Sequence, residues 1–386
     1  MNQCHVCQSK LDEPIYVSPN PISLTSLCQV YPQKTEVFFC DNCGHLQTKS
    51  IDKIDEYYDQ NYQILIDTEE EDQLYKIIDG KKIFRVDHQV NVLLDKLTLP
   101  PATKVLDYGC AKAATLKKLS QIRTDLIPHV FDVSQMYIPF WDKFILPENC
   151  ATYSLKSDWN QSFDLITSFF ALEHTEEPQL MLSNIFNLLK DDGYFYCIIP
   201  NTYTNIADFI VLDHVNHFSV MSLQYLLNIT GFEIVEIDQK NHDSAFVIVA
   251  RKPTDVKLNS LEKNTELLKE IKSQVNNMVK YWQNIVNQVR DFEKNIVGDA
   301  EAVIYGSGFY GSFIATCLSD INKIKYFLDQ NPFQQGKTLF GKPIIAPQDL
   351  PDNFEYIYVG LNPQNAQKII TEIDFWINKN HQYLYL

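Results

Sequence analysis

Twice along this chain a short apolar strand runs into a glycine turn and then into a helix. KVLDYG is followed by ATLKKLSQI, and AVIYGSG is followed by FYGSFIATCL. Around the first of these, IPHVFDVS and FDLITSFFALEH read as further strands, then QLMLSNIFNLLK as a helix and GYFYCIIP as another strand. Apolar strands that alternate with helices are best buried as a doubly wound, mostly parallel sheet. The predicted fold class is therefore α/β, and ligands on such a sheet sit at the carboxyl ends of its strands.

The 386 residues leave room for two or three domains. Net charge is −16, which argues against nucleic acid as the main partner, because a phosphate backbone needs a concentrated positive surface. No apolar run reaches the roughly 18 residues of a membrane helix, so no membrane partner is expected. The opening MNQCHVCQSK lacks the apolar core of a secretory signal, which favours the cytoplasm. In that compartment the nine cysteines are expected as thiols or metal ligands.

Four of them form two CxxC pairs, Cys4 with Cys7 and Cys40 with Cys43. Two such pairs can wrap one tetrahedral Zn2+ with no open position, which makes the expected metal structural. Residues 1–50 are read as this zinc-binding module, 51–100 as a helical lead-in and 101–252 as the first α/β domain. The acidic run Glu69–Asp72 reads as a solvated surface segment. Thr254–Val297 contains neither proline nor glycine. Its apolar residues Leu268, Ile271, Val275, Met278, Trp282, Ile285, Val289, Phe292 and Ile296 recur at 3,4 spacing, predicting one linker helix over 253–297. That seam packs either on its own body or on a second subunit, so monomer and homodimer both stand. Residues 298–386 form the second α/β domain.

In the first glycine loop Gly109 is kept, while Ala111 and Ala113 stand at positions that often need glycine. Asp107 ends the first strand, and Asp132, 25 residues on, ends the second, where a carboxylate can take ribose hydroxyls. Asp158 and Trp159 suit an adenine edge and face, Phe170 lies at the end of the third core strand, and Lys112 is placed to pair with a carboxylate. In the second loop Gly306, Gly308 and Gly311 match GxGxxG, with Asp329 after the next strand. That loop reads as a dinucleotide site, as glycines serving close packing, or as a cradle with Gly306, Gly308 and Tyr310 for a substrate diphosphate.

The order of parts resembles the nucleotide-sugar C-methyltransferase family. The resemblance rests on the four cysteines, LDYGC, and the run FLDQNPFQQGKTLFGKPIIAPQDLP. It implies a class I methyltransferase Rossmann-like sheet that binds S-adenosyl-L-methionine, a zinc module before it and a second Rossmann-like domain after it. The cofactor contacts would be Asp107, Gly109, Lys112, Asp132, Asp158, Trp159 and Phe170. The implied substrate is a nucleotide-activated ketodeoxysugar. In VLDHVNHFS, Asp213 takes the place of the family's glutamate and His214 that of its histidine. Val211 replaces an expected tyrosine and His217 an aromatic residue. By this likeness His214 is the general base, with Asp213 and His217 in support. Rival expectations are O- or N-methyl transfer to a related small molecule, nicotinamide-dependent redox chemistry at the second loop, and a non-catalytic binding protein.

Overall fold

The computed structural model describes residues 3–51, 68–255, 264–298, 300–373, 376 and 379–386. The chain divides into two compact units. The first comprises Met1–Ile15, Val37–Asp208 and Asp213–Ser273, the second Tyr16–Glu36, Phe209–Leu212 and Gln274–Leu386. The expected 1–50 module is thus divided. The proline-rich stretch between the cysteine pairs joins the second unit, where Tyr16 packs on Phe209 with ring centroids 5.5 Å apart.

In the first unit, β1 (Glu36–Phe39) and β2 (Leu46–Thr48) form an antiparallel pair that encloses Cys40 and Cys43. The expected helical lead-in is only partly helical. Leu74–Ile78 (β3) and Lys81–Phe84 (β4) make a hairpin, and the helix α1 is confined to Arg85–Lys96. The reason is local: Asp79 and Gly80 both adopt positive φ, the backbone a two-residue hairpin turn requires. The remaining part of that segment, 52–67, lies outside the described residues.

The main sheet contains β5 (Lys104–Tyr108), β6 (Ile127–Asp132), β7 (Cys150–Thr152), β8 (Phe163–Phe169), β9 (Leu189–Pro200), β11 (Glu233–Asp238) and β12 (Ala245–Arg251). A two-residue strand, β10 (Asn216–His217), pairs instead with β2. The sheet order is β7-β6-β5-β8-β9-β12-β11, parallel as far as β9 and antiparallel beyond it. Alternate residues feed opposite faces. Leu106, Ile166, Phe195 and Cys197 enter one core, Val105, Leu165, Tyr196 and Ile198 the other. Two apolar faces are what strands without polar alternation demand. Helices α2 (Ala114–Ile122), α3 (Pro178–Leu188) and α4 (Val220–Ile229) follow strands in the doubly wound manner.

Helix α5 runs over Thr265–Glu293, shorter than the expected 253–297, of which 256–263 lie outside the described residues. Ile271, Val275, Met278, Trp282, Ile285 and Val289 are buried within the chain. Trp282 meets Phe313 edge-on at 4.9 Å, within the second unit. The seam is therefore covered by its own chain and is not left open for a second subunit. The second unit's sheet is built from β13 (Ala302–Tyr305), β14 (Ile324–Leu328), β15 (Thr338–Leu339), β16 (Lys342–Ile345), β17 (Tyr356–Val359) and β18 (Gln382–Tyr385). Their order is β15-β16-β14-β13-β17-β18, parallel except for the β15–β16 pair. Among the described residues no helix is long and apolar enough to cross a membrane.

Candidate active site

The first glycine loop leaves the carboxyl end of β5 as the sequence predicts. Gly109 has φ +71°, and a Cβ there would lie 2.8 Å from the Cβ of Ala171 in the loop after β8. Only glycine lets the two loops approach so closely. Ala111 (φ +46°) and Ala113 (φ +54°) are held in the left-handed conformation that glycine takes without strain. The loop keeps the shape of a glycine-rich cradle although two of its glycines are gone. Ala113→Gly is expected to raise stability by about 1 kcal/mol, since an L-residue in that region carries a steric cost of this size; the urea unfolding midpoint measures it.

Asp132 closes β6 and braces the loop. One of its oxygens accepts from the Ala111 amide at 2.7 Å, the other from the Ser134 amide at 3.0 Å. Burial pushes its pKa up to about 6, against those amide bonds. Each carboxylate oxygen has a second lone pair, so a ribose hydroxyl can still be accepted. Phe170 lies half-buried at φ +54° just past β8, with the Arg85 guanidinium over its ring.

Of the four other expected cofactor contacts, Lys112, Trp159 and Asp107 are engaged within the fold. The Lys112 ammonium donates to the carbonyls of Thr68, Glu69 and Glu71 at 3.1, 3.1 and 2.8 Å. An ammonium has three protons, so none remains for a cofactor carboxylate. The same contacts remove Glu69–Asp72 from the role of a solvated segment: Glu71 and Asp72 are buried, and Glu69 is paired with Lys117 and Lys143. Trp159 is turned into the core, edge-on to Phe163 at 5.5 Å, and presents no adenine face. Its neighbour Asp158 is exposed. Asp107 is buried and accepts from the Thr167 hydroxyl at 3.0 Å, and burial raises its pKa to about 7.

In the second unit the glycines pack. A Cβ on Gly306 would lie 2.3 Å from the Gly360 carbonyl oxygen, and one on Gly311 1.9 Å from that of Gly306. The Ser307 amide and hydroxyl both donate to Asp329, at 3.0 and 2.5 Å, which uses the loop's donor internally. Tyr310 is buried, its ring parallel to that of Trp282. Of Gly306, Gly308 and Tyr310, only Gly308 has open space where a side chain would stand. The packing account of this loop fits its geometry better than a diphosphate cradle.

The two histidines of VLDHVNHFS do come together, but around a different carboxylate. Asp208 accepts from His214 Nδ1 at 2.5 Å through one oxygen and from His217 Nδ1 at 2.8 Å through the other. The expected partner Asp213 instead offers its backbone carbonyl to His174 Nδ1 at 3.0 Å. His174 lies in the turn after β8 and meets the His214 ring edge-on at 4.7 Å. Beside them is Glu173, 1% exposed, with neither carboxylate oxygen hydrogen-bonded among the described residues. One donor atom from each of Glu173, His174 and His214 falls within 4.8 Å of the others. The cluster adjoins the Gly109 loop, because Ala171 of the same turn touches it.

Electrostatics follow from this packing. Burial lowers the proton affinity of His214, but the bond to Asp208 and the charges of Asp208, Glu173 and Asp213 outweigh it and hold its pKa at about 9. Burial would raise Asp208. The two rings reverse this and keep its carboxyl well below the usual range. Glu173 is pushed up to about 8 by burial, against the pull of His214. Burial draws His174 down to about 4. About 12% of the His214 side chain remains accessible.

The four cysteines also converge. Cys4 and Cys43 Sγ are 3.6 Å apart and Cys7 and Cys40 Sγ 3.4 Å, with all four within 4.8 Å of one another. Sulfur atoms on one tetrahedral ion with bonds of about 2.3 Å would be separated by about 3.8 Å. The donor set and spacing fit a closed, four-thiolate site.

Residues 81–237 match the family described as methyltransferase domain. They hold the glycine loop, Asp132, Glu173, Asp208 and His214. This chain carries a methyltransferase domain. An mRNA cap guanine-N(7) methyltransferase of Cryptococcus neoformans is 25% identical over 180 residues, which cover 41% of this chain and 28% of that protein. The chain thus aligns with little more than a quarter of that relative's length. A SAM-dependent methyltransferase from Aquifex aeolicus is similar at 18% identity and a TM-score of 0.35, covering 42% of this chain and 89% of that one. The CurJ carbon methyltransferase is similar at 17% identity and a TM-score of 0.36, covering 44% and 55%. The methyltransferase domain takes S-adenosylmethionine as its cofactor, and the left-handed loop at 109–113 with Asp132 beside it fits that group. Asp208, Glu173 and His174 were not singled out from sequence. The Glu-His ending of FDLITSFFALEH was the one available signal, and nothing local marked Asp208.

Proposed function

We propose that this protein transfers the methyl group of S-adenosylmethionine to a nucleotide-activated ketodeoxysugar, at a carbon next to the ketone. The observation that carries the reading is the accessible His214 ring, fixed by a buried carboxylate at the carboxyl end of the sheet, next to the cofactor loop. Bound there, the cofactor supplies an electrophilic methyl on a sulfonium. The chain's own part is the proton. With Nδ1 directed at Asp208, His214 presents Nε2 to the substrate and takes the proton from the carbon that becomes the nucleophile. Glu173, buried beside His214, is read as a second titratable group of the site. The chain's net charge of −16 favours a small substrate over capped RNA. The cysteine cluster is read as a structural Zn2+ site.

The test is product analysis with 13C-methyl cofactor and a panel of nucleotide ketodeoxysugars. A new methyl carbon bonded to carbon is expected; a methyl on oxygen or nitrogen would overturn the reading. With a base of pKa about 9, kcat/KM is expected to rise with pH and level off only above pH 9. His214→Ala is expected to bind S-adenosylhomocysteine within about twofold of wild type and to lose turnover by at least about a hundredfold. Calorimetry and initial rates separate the two effects.

A further inference from the structure

The hydrogen bonds that fix His214 do not end at Asp208. His217, which shares that carboxylate, has its other ring nitrogen, Nε2, 2.8 Å from the Thr48 hydroxyl oxygen. Thr48 is the last residue of β2, the strand that leaves the Cys40–Cys43 pair, and β10 pairs with this strand through Asn216–Gln47 and His217–Leu46. Asn216 makes a second link. Its Oδ1 lies 3.0 Å from His5 Nδ1 and 3.1 Å from His45 Nε2, the rings that flank the cysteines in CHVC and CGH. Its Nδ2 donates to the carbonyls of Thr175 at 2.6 Å and Leu172 at 3.3 Å, which bracket Glu173 and His174. Asp208, Asn216, His217 and Thr48 are all buried.

Two continuous paths of buried hydrogen bonds therefore run from the cysteine module to the histidine cluster, one ending on Asp208 and the other on the Glu173 turn. A module that served only to hold the amino terminus would need neither. An ionised carboxylate accepts only, so Nδ1 of His217 donates to Asp208, which leaves Nε2 for the bond with the Thr48 hydroxyl. Each bond in such a chain polarises the next. We infer that the cysteine module is a working part of the active site, in which Thr48 and His217 are positioning residues that set how strongly Asp208 holds His214. This rests on the proposed acid–base role of His214 only for its catalytic meaning, since the hydrogen-bond relay is testable without substrate.

The experiment is long-range 1H–15N NMR of the full chain with 15N-labelled histidine, titrated from pH 5 to 10. The groups facing His214 are Asp208, Glu173, Asp213 and His174, and all stay intact in the variants used. Thr48→Val keeps the side-chain shape and removes the hydroxyl. Without that hydrogen bond His217 binds Asp208 less strongly, leaving more of the carboxylate's charge to His214. The His214 midpoint is then expected to rise by about half a pH unit or more, and Thr48→Ser to restore it. Metal content and S-adenosylhomocysteine affinity should stay within about twofold, a pattern that a merely structural role does not give. His217→Phe leaves the cysteine module untouched and should shift the midpoint in the same direction, which covers the case in which Thr48→Val loses its metal. An unchanged midpoint in folded Thr48→Val, or in His217→Phe, would overturn the inference. A methyl found on a heteroatom would instead overturn the proposed reaction and leave the relay standing.

Discussion

Asp208→Asn is expected to bring the pKa of His214 from about 9 to below its ordinary 6.5 and to reduce turnover by roughly a thousandfold. The direction follows from the balance at this ring. Burial alone drives His214 down, and it is the bond to Asp208, with its charge, that lifts the ring above the ordinary value. An amide removes the charge and can donate as well as accept, so the Nδ1 tautomer is no longer enforced and Nε2 ceases to face the substrate reliably as a base. The rising limb of the pH–rate profile should therefore move to lower pH as the plateau falls. Stability shifts by linkage as well. In the wild type, a raised histidine pKa contributes stability in full below pH 6.5, and this is lost as pH rises through about 9. Asp208→Asn should therefore be less stable than wild type at pH 6, with the gap closing by pH 10. NMR titration, rate profiles and denaturant midpoints at those two pH values check the three parts. Retention of the limb near pH 9 in the variant would show that another group holds the ring.

Glu173→Gln is expected to trade activity for stability. The carboxyl is 1% exposed and neither oxygen has a partner among the described residues, an arrangement that native structures rarely keep without use. Its pKa of about 8 lies above the ordinary value near 4.3, so the unfolded chain ionises more readily than the folded one. The sign is that of an acid raised on folding. The penalty is absent below pH 4, grows between about pH 4 and 8, and is constant above. Glutamine has no charge to neutralise, so the variant should be more stable on the order of 3 kcal/mol at pH 7, with the difference gone by pH 4. Turnover should fall at least tenfold, because an amide cannot take up or release a proton as the carboxyl beside His214 does. A variant that is both active and more stable would mean that Glu173 has no part in the reaction.

These effects arise from residues that do not advertise themselves in the chain. Asp213, adjacent to His214, was the natural partner on sequence, yet consecutive side chains diverge from the backbone and rarely meet. The partner is Asp208, brought back by the irregular path between β9 and β10. Lys112 looked free to receive a carboxylate because its loop position was legible, while the 68–71 carbonyls that consume its three protons come from 41 to 44 residues earlier. Trp159 was placed near the right strand but on the wrong side of it, since an aromatic residue after a short strand gives no sign of whether it turns in or out.

What the sequence determined by itself was whatever depends on local pattern. Apolar strands alternating with helices gave the two mostly parallel sheets, a 3,4 seam gave α5, and CxxC spacing brought four thiols to one point. The glycine of LDYGC marked the tight turn after β5, where Gly109 adopts positive φ. The tertiary structure alone decided which carboxylate holds His214, that Glu173 stands unpaired beside it, and that the stretch between the cysteine pairs joins the second unit. The physical reason is that a hydrogen bond is satisfied by whichever group the completed fold brings within about 3 Å, and burial then fixes its strength. Neither quantity exists until separate elements have packed.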